Sequence, residues 1–204
     1  MGTAERRARE KDELRRRILE AATALFLEQG YESVSMRKIA DRIEYAPSTI
    51  YLYFKDKVEL VTSICFETFA ELDRRLEAIR QLGLPPLETL RRSLTDYVDF
   101  GLEHPSHYTF VFCTPPAALK DIRPDQHVYV NTMAMATFDR LRVGIKACMD
   151  EGSIRVDDVE TTAQSAWLFI HGVTIGLVID CGFPFVDRRV LIETSLDRLI
   201  RGLN

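Results

Sequence analysis

The sequence predicts an all-α protein, with three N-terminal helices packed as one unit and a bundle of about six helices after them. Three observations carry this. Apolar residues recur at the i, i+4, i+7, i+8 spacing of a helix face along almost the whole chain. No segment alternates over enough residues to make a strand. Proline and glycine gather at "GLPP", "TPPAALKDIRP" and "CGFPF", where they punctuate the helical stretches.

In the first helix, from Leu14, the residues Ile18, Ala21, Ala22, Leu25 and Phe26 form one buried stripe. Gly30 is expected to end it in the left-handed conformation. A short second helix is expected at Met36–Ile43, with Ser35 as N-cap and Ile39, Ala40 and Ile43 facing inward. The third runs from Pro47 to Phe54, since proline suits the first helical position. Asp56 opens a fourth, and Glu59 three residues later completes a capping box. That helix continues until Gly83, Pro85 and Pro86 break it. Further helices are expected at about 86–103, 105–112, 125–150, 159–181 and 188–202.

Composition bounds the function. The chain has 204 residues, 46% apolar and 28% charged, as in an ordinary soluble protein. No unbroken apolar run of about 18 residues suggests a membrane span. The charged N-terminus "MGTAERRAREKDELRRR" has no apolar core of a secretory signal, and Arg6 stands where a myristoylation signal needs Ser or Thr. Arg6, Arg7, Arg9 and Lys11 in residues 1–12 read either as a minor-groove arm or, because Glu5, Glu10, Asp12 and Glu13 interrupt them, as the favoured disordered, solvated arm. Cys65, Cys113, Cys148 and Cys181 are widely spaced, which fits reduced, mostly buried thiols in the cytoplasm and neither disulfides nor zinc. His104 and His107 flank Pro105, which should point the imidazoles apart, so no metal site is expected there. Net charge is −4, and residues 1–60 hold 12 Lys/Arg against 11 Asp/Glu. A case for nucleic-acid binding therefore rests on local placement, not on bulk charge.

That placement is found at 35–57. Two helices this short are unstable alone and need a third to pack on, which makes a helix-turn-helix. Ile50 and Phe54, four apart, should bury together. Ser48, Thr49, Tyr51 and Tyr53 then offer hydroxyls to phosphates or base edges, and Leu52 and the ring carbons can touch thymine methyls. Arg37 and Lys38 begin the preceding helix, and Lys57 lies in the first turn of the next, whose positive end favours a phosphate.

"YESVSMRKIADRIEYAPSTIYLYFKDKVEL" resembles the DNA-binding signature of TetR-type transcriptional regulators, with its Ser-x-Arg start, Ile-Ala pair, Thr-Ile-Tyr-x-Tyr-Phe helix and Lys-x-x-Leu. The resemblance covers residues 14–62. It implies that Arg37, Pro47, Ser48 and Tyr51 face bases or groove edges, and that Ser35, Thr49, Tyr53 and Lys57 hold phosphates. Two residues depart from the pattern: Glu44 replaces the usual turn glycine and Ala46 the usual Ser cap. A non-glycine residue in the left-handed region costs about 1–2 kcal/mol, and a lost cap about 1 kcal/mol. Either the turn tolerates Glu44, or packing by Tyr45 offsets the strain.

A shorter resemblance lies in "WLFIHG", similar to the Trp-x-x-x-His-Gly motif of one subgroup of TetR-type ligand-binding domains. Trp167 and His171 share a helix face, and Gly172 and Gly176 let another helix come close. For Trp167 and His171, ordinary core packing is the competing reading.

The expectation is thus a cytoplasmic transcriptional regulator, most often a repressor in that family. Residues 1–56 would bind operator DNA and residues 57–204 would bind an effector and dimerise. Helices near 159–181 and 188–202 are the expected homodimer interface. Phe100, Tyr108, Phe112, Met133, Phe138, Trp167 and His171 are candidates to line a pocket for a small, mostly apolar effector. No cofactor and no enzymatic activity are expected, because no phosphate loop, metal spacing or nucleophile–base pair is present. The alternative is a helical small-molecule carrier or interaction module whose helix-turn-helix no longer binds DNA.

Overall fold

The computed structural model describes residues 3–113, 124–179 and 182–203, and in these it is helical throughout. The helices are α1 (Thr3–Gln29), α2 (Met36–Arg42), α3 (Pro47–Tyr51), α4 (Lys57–Arg80), α5 (Pro86–Glu103), α6 (Pro105–Cys113), α7 (Pro124–Glu151), α8 (Val159–Val178) and α9 (Arg188–Gly202), with a short 3-10 turn at Tyr31–Ser33. None of these helices is long and apolar enough to cross a membrane. Cys65 and Cys148 are buried, and burial pushes the Cys65 thiol up to about 12. Cys113, expected inside, is exposed at the end of α6. Cys181 lies outside the described residues.

The expected disordered arm is not what the described residues show. From Thr3 onward the chain is already α1. Its interleaved charges favour helix, because the straight side chains lose little rotamer freedom and Arg6 pairs with Glu10 one turn on, at 3.4 Å. Gly30 takes φ 78° and ψ 152°, an extended positive-φ conformation open only to glycine, and not the left-handed helical one expected. It starts the 3-10 turn that carries the chain to α2.

The chain divides into two compact units, and the division differs from the expected boundary at 56/57. One unit holds the described residues of 1–68 and 106–130, the other those of 69–105 and 131–204. The core of the first unit joins Ile18, Leu19, Ala22, Leu25 and Phe26 of α1 to Ile39 and Ala40, to Ile50 and Phe54, to Leu60, Val61 and Ile64 of α4, and to Phe110 of α6. Phe26 is the hinge of this packing, with ring centroids 5.5 Å from Tyr31 and 5.6 Å from Phe110. Each such buried aromatic or aliphatic side chain stabilises by about 1.5–3 kcal/mol relative to exposure.

In the second unit α5 packs on both α8 and α9, which also pack on each other. Leu90, Leu94, Val98 and Phe100 of α5, Ala163, Ala166 and Ile170 of α8, and Ile192, Leu196 and Ile200 of α9 are buried there. Arginines hold the helices in register: Arg75 of α4 bonds Asp96 and Glu103 of α5 at 2.7 and 2.6 Å. Arg140 of α7 bonds Glu77 of α4 at 2.7 Å and Asp73 beside it. Asp158 and Asp187 cap α8 and α9 by accepting from the backbone N–H of Thr161 and Val190.

Candidate nucleic-acid interface

The interface is built on α2, the turn after it and α3. Ser35 caps α2, its hydroxyl accepting from the Lys38 N–H at 3.2 Å. The turn closes as a Schellman motif. The Glu44 N–H donates to the Asp41 carbonyl at 3.3 Å and the Tyr45 N–H to that of Ala40 at 3.0 Å. Glu44 occupies the left-handed position of that motif, with φ 61°. The two backbone bonds hold it there without a glycine, and the Arg17 guanidinium lies 5.5 Å from the Tyr45 ring centroid. Ala46 precedes α3 in an extended conformation with no side-chain cap.

The α-helical part of α3 is shorter than the expected 47–54. After Tyr51 the N–H groups of Leu52 and Tyr53 turn to carbonyls three residues back, Thr49 and Ile50, at 3.2 and 2.9 Å, so the last turn tightens. Ile50 and Phe54 are fully buried, as their spacing predicts, and the Arg15 guanidinium covers Phe54 at 4.8 Å. Pro47, Ser48, Tyr51, Leu52 and Lys55 all point to solvent. Tyr51 is 56% and Leu52 80% exposed. Thr49 is half-buried at the edge, and Tyr53, also half-buried, leans on the core.

The cations divide into two kinds. Arg37 is exposed and, among the described residues, its guanidinium has no ion-pair or hydrogen-bond partner. Lys38 and Lys57 are engaged within the protein. The Lys38 ammonium donates to Gln29 Oε1 and the Ser33 carbonyl, both at 2.8 Å. That of Lys57 donates to the Tyr31 carbonyl at 2.9 Å and sits 4.2 Å from the Tyr31 ring centroid. Each retains donors of its three for a further acceptor. Lys55, absent from the sequence-based set, has a free side chain on the Leu52 side, and its own N–H donates to Glu59 Oε2 at 2.6 Å. This is the expected capping box displaced by one residue, with the Glu59 N–H bonded to Asp56 Oδ1 at 2.8 Å.

The candidate effector residues are split. Phe100, Met133, Phe138, Trp167 and His171 lie in the second unit, whereas Tyr108 and Phe112 lie in the first, their rings 4.8 Å apart. Trp167 and His171 do stack, at 5.1 Å and 15°. The Tyr97 hydroxyl, 74 residues away in sequence, lies 3.3 Å from His171 Nδ1, and burial holds the imidazole below its ordinary range.

Residues 18–64 match the family model described as "Bacterial regulatory proteins, tetR family". Residues 18–64 belong to the tetR family. This TetR-type head is 38% identical over 78 residues to the HTH-type transcriptional repressor KstR of Mycobacterium tuberculosis, a match over 38% of this chain and 36% of that protein. The chain thus spans little more than a third of the length of that relative. A second relative, the HTH-type transcriptional regulator HbdR of Aromatoleum sp., is 26% identical over 197 residues, covering 89% of this chain and 76% of that one. The TetR-family fold extends beyond the head. The crystal structure of the TetR family transcriptional regulator PfmR from Thermus thermophilus superposes with a TM-score of 0.76 over 92% of this chain and 98% of that one, at 21% identity.

Proposed function

We propose that the chain is a transcriptional regulator, most simply a repressor, that binds operator DNA as a homodimer under the control of a small, mostly apolar effector. The observation that carries this is α3. Its buried side, Ile50 and Phe54, anchors it in the head, and its outer side presents Ser48, Tyr51 and Leu52, with Arg37 of α2 and Lys55 also exposed in the same head. In that reading Arg37, Pro47, Ser48 and Tyr51 meet bases or groove edges, and Ser35, Lys38, Thr49, Tyr53 and Lys57 meet phosphates. The closed Schellman turn supports a head that keeps its helix-turn-helix geometry over a carrier with a lapsed one.

Two heads must reach successive major grooves about 34–36 Å apart, which requires two copies of the chain. The outer side of α8 suits that role: Leu168 is 61% exposed and Phe169 is exposed beside it. A Cβ added at Gly172 or Gly176 would meet nothing within 4 Å among the described residues. The closeness those glycines permit is therefore available to a second molecule. A groove of about 390 Å³ runs along them, lined by Phe169, Phe185, Leu191 and Ser195. The effector would contact the second unit, where Trp167, His171 and Tyr97 join apolar surface to a polar anchor.

Fluorescence titration of DNA from upstream of the chain's own gene tests the proposal. Salt-sensitive, site-specific binding that Tyr51→Ala and Arg37→Ala each weaken by about 1–3 kcal/mol supports it. Wild-type affinity in both variants would remove α3 from the interface, and absence of any specific binding would favour the carrier.

A further inference from the structure

The outer side of α3 ends in a large aliphatic side chain, Leu52, that cannot take part in hydrogen bonding. Pro47, Ser48 and Tyr51 of α3, with Leu52 and Lys55 just after it, are all exposed. Leu52 is the most exposed large apolar side chain of this head, at 80%. Its backbone is fixed, since its N–H donates to the Thr49 carbonyl at 3.2 Å and the next two residues, Tyr53 and Phe54, are tied to Ile50. Leu52 therefore projects from a rigid turn and not from a loose loop. A lone exposed leucine is ordinary on a protein surface. This one directly follows Tyr51 on a turn whose neighbouring Ser48, Tyr51 and Lys55 are also exposed.

We propose that Leu52 is a specificity-determining residue that selects a thymine in each operator half-site by packing on its C5-methyl group. The proposal rests on the DNA-binding reading above and deepens it. In the major groove every base edge offers donors or acceptors, and only thymine adds an apolar group. Leucine placed against guanine, adenine or cytosine covers a polar atom that it cannot satisfy, and so disfavours those bases. Against thymine it buries a methyl. The exposed Ser48 and Tyr51, which precede Leu52, supply hydroxyls for neighbouring polar edges, and Lys55 supplies charge for the backbone nearby.

The test begins with selection from a random-sequence duplex library by the full-length protein. In the duplex so obtained each thymine is replaced in turn by deoxyuridine, which removes the methyl and leaves pairing intact. The expected result is one position per half-site where replacement weakens wild-type binding about four-fold, the worth of one buried methyl group. In Leu52→Ala the same replacement should have no effect, and the melting temperature should match the wild type because the side chain is exposed. If the deoxyuridine effect at every position is equal in wild type and Leu52→Ala, the proposal is overturned while DNA binding stands. If the library yields no enriched sequence, the DNA-binding reading fails and takes this proposal with it.

Discussion

Two surfaces of this protein expose large apolar side chains, and they do so in opposite chemical settings. On α3, Tyr51 and Leu52 stand among hydroxyls, with Arg37 and Lys55 free nearby. On α8 and the segment leading to α9, Leu168, Phe169, Phe183, Phe185, Val186 and Val190 are exposed around a groove floored by two glycines. The first surface could not be buried against protein without stranding its cations. The second carries Asp187, Arg188 and Arg189 at its edge, but its groove is lined mostly by apolar side chains that would gain by meeting their own kind. On the proposed reading the same physical signal, exposed apolar area, would mark a polyanion site in one place and a self-association site in the other, and the balance of apolar and charged neighbours separates the two.

The comparison can be broken most severely through the anchor of α3. Phe54→Ala should cost about 3–5 kcal/mol in thermal or denaturant unfolding, because the ring is fully buried in the core of the head. A loss below about 1 kcal/mol would mean that the reading face is not held from beneath. Next comes the other surface. Leu168→Lys should weaken self-association in sedimentation velocity by about 1.4–3 kcal/mol, ten-fold or more, while the melting curve of the protomer stays within about 0.5 kcal/mol. Unchanged association in that variant would take the outer side of α8 out of the interface.

A smaller change sharpens the turn. Glu44→Gly relieves a left-handed residue and should stabilise the head by about 1 kcal/mol, less a few tenths for the added freedom of the unfolded chain. Differential scanning calorimetry resolves that gain, and a loss of stability would show that the Glu44 side chain is itself held in place.

The smallest effect concerns pH. Burial holds the His171 imidazole below its ordinary 6.5, so the unfolded chain takes up that proton first. Its contribution is intact above 6.5 and declines as the pH falls from there toward the folded-state value. His171→Gln should flatten the stability profile in that window alone. A slope that survives the substitution belongs to other groups. Carboxylates such as Glu71, bonded to Arg74, and Glu103, bonded to Arg75, are held below their ordinary 4.5 and lose their contribution only at lower pH.

What was legible in the sequence was what short-range rules govern. The stripe of α1, the Ser35 cap, the Ile50/Phe54 anchor and the strained position of Glu44 all depend on residues within four or five of each other. The rest depended on distance along the chain. That Lys57 is bound to Tyr31, and Lys38 to Gln29, follows from packing across the head, which no periodicity encodes. Phe110 joins the core of the first unit from 84 residues beyond Phe26, so a boundary read from motif ends placed α6 on the wrong side. The division of the effector candidates follows from the same fact. At the N-terminus the expectation of a solvated tail passed over the i, i+4 spacing of Arg6 and Glu10, which pair along the helix.

Lys57 carries a consequence for recognition. A free lysine at a phosphate surrenders about 2 kcal/mol of rotamer entropy when the complex forms. The Tyr31 ring and carbonyl have already immobilised this one during folding. If Lys57 meets a phosphate as proposed, its ammonium would be presented to the backbone of the duplex as a fixed charge, with little conformational freedom left to lose on docking.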